Sequence, residues 1–152
     1  MVGPVKRETQ IITSGYGFRW RLGKRKFHKG IDLRTVKFPE ETDEGADYSL
    51  QPCVAVERCR VKRFGTDPND NDFIVLEPLS GEVFEYKYIH VTLEFSVTQV
   101  GIVLNEGTII GYSQLKGQSD AHHLHFEVWL SPKKCINPFP FLKEKGIKIR
   151  KK

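Results

Sequence analysis

The sequence predicts a mainly β protein, and three features of the chain support this. From Ile11 onward, short apolar or alternating runs are separated by turn residues, which is typical of β-strands. No segment keeps a 3.6-residue apolar period over several turns, so helix should be confined to short turns. Hydrophobic residues make up 39% and charged residues 28% of the 152 residues, close to globular averages, which argues against a disordered or fibrous chain.

The predicted strands follow from the apolar and alternating runs. They cover residues 11–13, 53–56, 59–64, 73–77, 83–90, 108–112 and 123–130. Glycine-containing turns at 14–17 and 105–107 join some of these strands, because glycine readily adopts a positive φ. The acidic stretch 37–49 is longer than a turn, and we expect a surface loop that forms a wall of a groove.

Two further segments have a structural rather than a functional interpretation. The three cysteines, Cys53, Cys59 and Cys135, are an odd number, and the first two lie in strand-like surroundings, so free thiols are expected. The acidic stretch 67–72 fails as an EF-hand, because the sixth and twelfth positions counted from Asp67 hold Asp72 and Pro78. We interpret it as an Asx-rich turn between strands.

Four of the five histidines lie in three short segments, 28–32, 88–90 and 123–128. Imidazole and carboxylate ligands suit a zinc ion, and a site with three protein ligands leaves a coordination position for a reactive water. The arrangement therefore points to hydrolysis rather than to a structural metal. Gly30 favours a bend between His28 and Asp32, and a bend or a helical turn would let both side chains converge.

The last of these segments alternates strictly. In a strand, His123, His125 and Glu127 share one face, while the residues between them form an apolar face that must pack into the core. The strand rise holds the two histidines about 7 Å apart. One can therefore bind a metal while the other faces the group that the metal activates.

These motifs carry a specific resemblance. The segments 13–19, His28-Lys29-Gly30-Ile31-Asp32, 88–90 and 123–128 resemble, in order, the motifs of the M23 zinc metallopeptidases, the LytM and lysostaphin-like peptidoglycan endopeptidases. Ile136-Asn137-Pro138 resembles the family's terminal signature. The resemblance implies a compact antiparallel β-sheet domain of the duplicated hybrid motif type, with a groove over the sheet. One domain, 1–152, is expected, with a core at about 11–142 and a basic tail at 143–152.

The resemblance also implies roles for the site residues. It makes His28, Asp32 and His125 the ligands of one zinc ion, and His90 and His123 the catalytic histidines. No required position is missing, whereas the family's non-catalytic members have typically lost ligands. Which histidine acts as the base and which stabilises the oxyanion stays open.

Other residues near these motifs receive lesser roles. Since the chain has no HExxH helix, Glu127 is interpreted as an outer-shell acceptor for a ligand histidine, a role that a backbone carbonyl could serve equally well. His122 falls on the opposite parity from His123 and is expected at the surface, without a catalytic role. Tyr16 and Arg19 match family positions near the groove, but turn packing and a surface cation are the alternatives.

The resemblance thus implies a zinc-dependent endopeptidase that hydrolyses the peptide cross-links of bacterial peptidoglycan. The alternative is a non-catalytic wall-binding or amidase-regulating LytM-like domain. Both D-alanyl–diaminopimelate cross-links and glycine bridges are cleaved within the family, so the bond remains open.

The net charge of +5 suits a polyanionic partner, either nucleic acid or a wall polymer with acidic peptides and teichoic acids, although a solvated surface with a frayed basic tail is the simpler interpretation. Nucleic acid is not expected, because the chain lacks an aromatic-basic motif and zinc-finger spacing. A monomer with no membrane span is expected. It would act in the cell wall or periplasm as a phage lysin, a virion component or a domain of a secreted protein, since no signal peptide is visible.

Overall fold

The structure is a computed structural model that describes residues 1–36, 50–115 and 122–152. Strands dominate these residues, which confirms the predicted mainly β fold. The predicted acidic loop 37–49 lies outside the described residues. The strands are β1 (Gln10–Ser14), β2 (Gly17–Arg21), β3 (Lys24–His28), β4 (Ile31–Arg34), β5 (Cys53–Val54), β6 (Cys59–Thr66), β7 (Asp72–Pro78), β8 (Glu85–Ile89), β9 (Val91–Leu93), β10 (Val103–Leu104), β11 (Ile109–Ser113), β12 (His123–Ser131), β13 (Lys134–Ile136) and β14 (Ile149–Lys151).

The described strands form one large sheet and two small ones. The large sheet has the order β10-β6-β7-β8-β12-β4-β1-β14, with β13 paired to one end of β12. A three-stranded sheet has the order β5-β11-β9, and β2 and β3 form a separate hairpin. All pairs are antiparallel except β1 with β14. β12 lies between β4 and β8, so its side chains occupy the middle of the large sheet.

Alternation along β12 separates the core from the site, as predicted. Leu124, Phe126 and Val128 are fully buried on one face. The buried ring of Tyr88 packs edge-on against Phe126, with 5.1 Å between ring centroids. The Tyr88 hydroxyl donates to the Val54 carbonyl at 2.8 Å and thereby joins the large sheet to the three-stranded sheet inside the core.

Several predicted bounds were wrong for identifiable reasons. The predicted strand 83–90 begins only at Glu85 and ends at Ile89, because His90 has a φ of 69° and leaves the strand conformation. The hairpin of β2 and β3 was not predicted as strands, since most of its side chains are exposed and the alternation there has no apolar core face. Its two-residue turn has positive φ at Leu22 and Gly23, as a type I′ hairpin turn requires.

The C-terminal residues are integrated into the fold. Asn137 caps α1 (Pro138–Glu144) by accepting from the Phe139 N–H at 3.0 Å, and Leu142 of this short helix is fully buried. β14 then pairs in parallel with β1, so residues 149–151 extend the large sheet and are not frayed. No helix in the described residues, α1 and the short 3-10 turn Phe95–Val97 included, has the length and apolar character that a membrane crossing requires.

Cys53 and Cys59 are buried free thiols, and burial raises the pKa of each to about 12. They therefore act as small hydrophobic residues, as predicted. The stretch 67–72 is a turn in which the Asp67 carboxylate accepts from the backbone N–H of Asn69 and of Asn71, each at 2.9 Å. This is the hydrogen-bond pattern expected of an Asx-rich turn.

Candidate metal centre

The strand register brings the three predicted ligands together. Asp32 in β4 lies directly opposite His125 in β12, and His28 ends β3 just before β4 begins. Gly30 permits this approach for a steric reason: a Cβ there would lie 2.3 Å from the Phe126 carbonyl oxygen. The bend predicted between His28 and Asp32 is therefore the connection between β3 and β4, and only glycine fits at position 30 beside β12.

The three side chains converge on one point. His28 Nε2 lies 3.0 Å from His125 Nδ1 and 3.3 Å from Asp32 Oδ1, and His125 Nδ1 lies 3.1 Å from the same oxygen. A tetrahedral zinc ion with bonds of about 2.05 Å needs ligand atoms roughly 3.3 Å apart. The triangle therefore has the size that zinc requires, and the residues could hold such an ion.

The outward-facing nitrogens of both imidazoles are hydrogen-bonded. His28 Nδ1 lies 2.7 Å from the Gly15 carbonyl oxygen, and His125 Nε2 lies 2.7 Å from a Glu127 carboxylate oxygen. Because these oxygens only accept, the two nitrogens must carry hydrogen, and the converging nitrogens of the neutral rings present lone pairs. The other Glu127 oxygen accepts from the Trp129 indole at 2.7 Å. Glu127 thus occupies the outer-shell position expected for it.

The electrostatics of the triangle demand a positive charge. Burial raises the pKa of Asp32, but its hydrogen bonds to His125 and His28 outweigh burial and hold the pKa well below its usual range. Burial lowers the pKa of His125, yet hydrogen bonds to Asp32 and Glu127 outweigh it and raise the pKa to about 9. Either a proton on His125 or a divalent cation supplies the charge that these carboxylates favour.

His90 and His123 border the same centre. The His90 ring centroid lies 5.3 Å from that of His123 and 6.4 Å from that of His125, and His123 Nε2 lies 3.9 Å from an Asp32 oxygen. Burial, followed by the neighbouring His123 and His125, lowers the pKa of His90 to about 4, so His90 is neutral at physiological pH. All five predicted site residues line one cleft of about 500 Å³.

The His90 side chain has an unused polar atom. Its Nδ1 is buried and finds no hydrogen-bond partner in the part of the chain that the structure describes. Buried polar atoms normally have partners, and His90 lines the cleft, so a water or a ligand group is the natural partner of this nitrogen.

Asp72 and the buried Gln114 hold the backbone of His90. His90 has a left-handed conformation, with φ at 69°, which costs a non-glycine residue on the order of 1 kcal/mol. The His90 N–H donates to the Asp72 carbonyl, and the His90 carbonyl accepts from the Gln114 N–H, both at 2.9 Å. The Gln114 side chain accepts from the Asp72 N–H at 3.1 Å and donates to Asp72 and Thr92, each at 3.0 Å. No pattern in the sequence predicted this role of Gln114.

Three residues with lesser predicted roles lie at the margin of the site. His122 is half-buried, and its Nδ1 lies 3.1 Å from Ser113 Oγ, so this residue is partly exposed and hydrogen-bonded to β11. Tyr16 serves turn packing: its ring contacts Phe27 edge-on and its hydroxyl donates to the Cys135 carbonyl at 3.2 Å. Arg19 lines the cleft, with its guanidinium 3.9 Å from Asp32.

Comparison with solved structures shows which class of protein shares this architecture. The catalytic domain of lysostaphin from Staphylococcus simulans, an antimicrobial peptidase, is 28% identical, with a TM-score of 0.63 over 86% of this chain and 90% of that one. LytU is 22% identical, with a TM-score of 0.67 over 91% of this chain and 88% of that one. A zinc-containing peptidase from Vibrio cholerae is 23% identical, with a TM-score of 0.65, and this chain spans 37% of its length.

The chain therefore has the M23/LytM-like peptidase fold, and the resemblance to that family predicted from the sequence is confirmed. No family model and no curated protein matches the sequence itself.

Proposed function

We propose that this protein is a zinc-dependent endopeptidase that hydrolyses peptide cross-links of bacterial peptidoglycan. The observation that carries the proposal is the convergence of His28, Asp32 and His125 within 3.3 Å of one another, with two more histidines on the same cleft. The peptidase fold of the solved neighbours supports the reaction class.

The ligand set determines what the centre supplies. A zinc ion held there provides Lewis-acid activation of water and of a peptide carbonyl. His28 and His125 are oriented for binding by Gly15 and Glu127, so the ligand nitrogens need no rearrangement.

The two remaining histidines have the chemistry of proton transfer. His90 lines the cleft and is neutral at physiological pH, and its Nδ1 has no protein partner among the described residues, so it can accept a proton or a hydrogen bond. His123 lies beside His90 and near Asp32, and it is placed to stabilise an oxyanion or protonate the departing amine. Their assignment to base and to oxyanion stabiliser remains interchangeable.

The proposal extends to the setting of the enzyme. Residues 1–152 form one peptidase domain, in which the C-terminal strand 149–151 belongs to the large sheet, and it acts as a monomer. The substrate places it in the cell wall or periplasm, as a phage lysin, a virion component or a domain of a secreted protein.

Loss of turbidity of purified peptidoglycan, with metal analysis of the same samples, tests the function. The parent protein should hold one zinc ion and clear the suspension, and chelation should stop clearing. His123→Ala should retain zinc without turnover, whereas His125→Ala should lose both. His122→Ala is the matched control and should clear like the parent. Clearing by a zinc-free protein would refute the proposal, and stoichiometric zinc binding without turnover would favour a regulatory domain.

A further inference from the structure

The β2–β3 hairpin presents a cationic face to the candidate metal centre. Arg19 and Arg21 share one face of β2, and their cross-strand partners Lys26 and Lys24 share that face of β3. We call these four side chains the cationic face. His28 belongs to the same face, since it lies two residues from Lys26 along β3. The strand that delivers a metal ligand therefore also directs positive charge toward the cleft.

The fold gives no account of this charge. Arg19 lies directly opposite Lys26, and Arg21 directly opposite Lys24, and like charges in such positions destabilise a hairpin. No acidic residue occurs in residues 17–29. In the described ranges, Arg19 approaches Asp32 at 3.9 Å, and no ion pair is present for the other three cations.

The opposite face of the hairpin is different. Arg25 lies there, with its guanidinium 4.0 Å from the centre of the Phe18 ring, a favourable cation–π contact. The repulsion is thus confined to the face that meets the cleft.

The acidic groups of the cleft are already engaged. Asp32 and Glu127 hydrogen-bond the imidazoles of the metal centre. The Asp67 carboxylate, which also lines the cleft, accepts three hydrogen bonds from its own turn. Four cations line the cleft against these three carboxylates, and two of the four, Arg21 and Lys26, form no ion pair within the described ranges, so a ligand in the cleft meets an excess of positive charge at the hairpin.

The spacing along the hairpin sets where a ligand would carry its negative charge. At the rise of a β-strand, Lys26 and Lys24 lie about 7 and 13 Å from His28 along β3. An extended peptide advances about 3.3–3.6 Å per residue. Carboxylates about two to four residues from a bond at the metal centre would lie beside these cations.

We infer that the cationic face binds carboxylates of the substrate peptide, so that the enzyme prefers cross-links flanked by free carboxylates, such as D-alanyl–diaminopimelate cross-links, over neutral glycine bridges. The inference rests on the proposed function and specifies its substrate class. It makes the hairpin a specificity element in addition to a carrier of His28.

Three synthetic substrates test this preference. The first is a peptide dimer joined by a D-alanyl–diaminopimelate bond with free carboxylates, the second is the same dimer with carboxamides, and the third is pentaglycine. The zinc-loaded parent should cleave the carboxylate form with a kcat/KM about 3- to 10-fold above the carboxamide form, and pentaglycine least. Added salt should reduce this ratio, because it screens exposed charges.

A pair of double variants isolates the hairpin. Arg21→Gln/Lys26→Gln removes one cation from each repelling pair, so it should fold at least as well as the parent. Its carboxylate-to-carboxamide ratio should fall to about 1. Lys133→Gln/Lys134→Gln makes the same change of charge at exposed positions outside the cleft and should keep the parent's ratio.

The outcomes separate the inference from the proposed function. Equal cleavage of both dimers, faster cleavage of pentaglycine, or a ratio unchanged in Arg21→Gln/Lys26→Gln would overturn the inference while leaving the peptidase intact. Cleavage of none of the three by the zinc-loaded parent would overturn the proposed function. Calorimetric binding of the two dimers then decides the inference, since equal Kd values would reject it.

Discussion

Replacing Glu127 with glutamine should weaken zinc binding without disturbing the three ligands. Glu127 is buried and its two oxygens accept from the His125 ring and the Trp129 indole, each at 2.7 Å. A glutamine side chain has one oxygen, so its NH₂ group must face one of these two donors. The variant also removes the negative charge that favours a positively polarised His125 ring.

The size of the effect follows from that contact. Loss of an outer-shell partner of a ligand histidine typically reduces metal affinity about 10- to 100-fold, or roughly 1.4–2.8 kcal/mol. Because the His125–Glu127 bond is short and buried, we expect Glu127→Gln to fall within this range. Competition with a chromophoric chelator at pH 7.5 measures the zinc Kd directly.

Glu85→Gln is the matched control for this experiment. Glu85 is also a buried strand carboxylate, but its oxygens accept from Arg63 at 3.3 and 3.4 Å, and it does not line the cleft. This control should lose stability and keep the parent's zinc Kd. A Glu127→Gln protein that binds zinc within twofold of the parent, or an equal weakening in Glu85→Gln, would refute the assigned role of Glu127.

Three further predictions concern the support of His90 by Gln114, the raised pKa of His125, and the close approach of Gly30 to β12. Gln114→Leu should lower kcat about 10-fold with zinc affinity unchanged, because it removes the side-chain hydrogen bonds that hold Asp72, whose carbonyl accepts from the His90 N–H, and so loosens the placement of His90. Steady-state kinetics and zinc titration of the variant will show whether kcat falls while the zinc Kd is kept. The free energy of unfolding of the chelated protein should fall by up to about 3 kcal/mol as the pH rises from 6.5 through 9. The pKa of His125 is raised in the folded state, so its protonation stabilises the fold fully below pH 6.5 and this contribution is lost as the pH rises through 9. Urea unfolding of His125→Asn should not show this loss. Gly30→Ala should destabilise the fold by about 2–4 kcal/mol, because its Cβ meets the Phe126 carbonyl, and an unchanged urea midpoint would contradict this.

The sequence predicted the parts of the site that depend on local alternation. His123 and His125 lie on the face of β12 opposite Leu124 and Phe126 because a strand with one apolar face has one way to pack. The convergence with His28 was expected from the resemblance, but the register that places Asp32 opposite His125 comes from pairing across 93 residues of sequence. No local pattern reports such a register.

Other parts of the site could not be predicted for the same physical reason. Gln114 supports His90 through contacts to Asp72, and these residues are far apart in sequence. Those contacts hold His90 at a positive φ, a conformation in which histidine is enriched but which is uncommon for any residue other than glycine, so the residue type alone does not predict it. The hairpin of β2 and β3 was missed because both of its faces are exposed, although Leu22-Gly23 is compatible with its turn.

The position of His28 connects the proposed chemistry with the proposed specificity. Asp32 and His125 belong to the large sheet, whereas His28 belongs to the separate hairpin, so a metal held by all three would join the hairpin to the sheet. The His28–Gly15 hydrogen bond already restrains this end of β3. Lys26 is two residues from His28 on the same face of β3, so a metal ion that restrains His28 also restrains Lys26, the nearest cation of the cleft. Metal binding and recognition of substrate charge should therefore depend on the same strand.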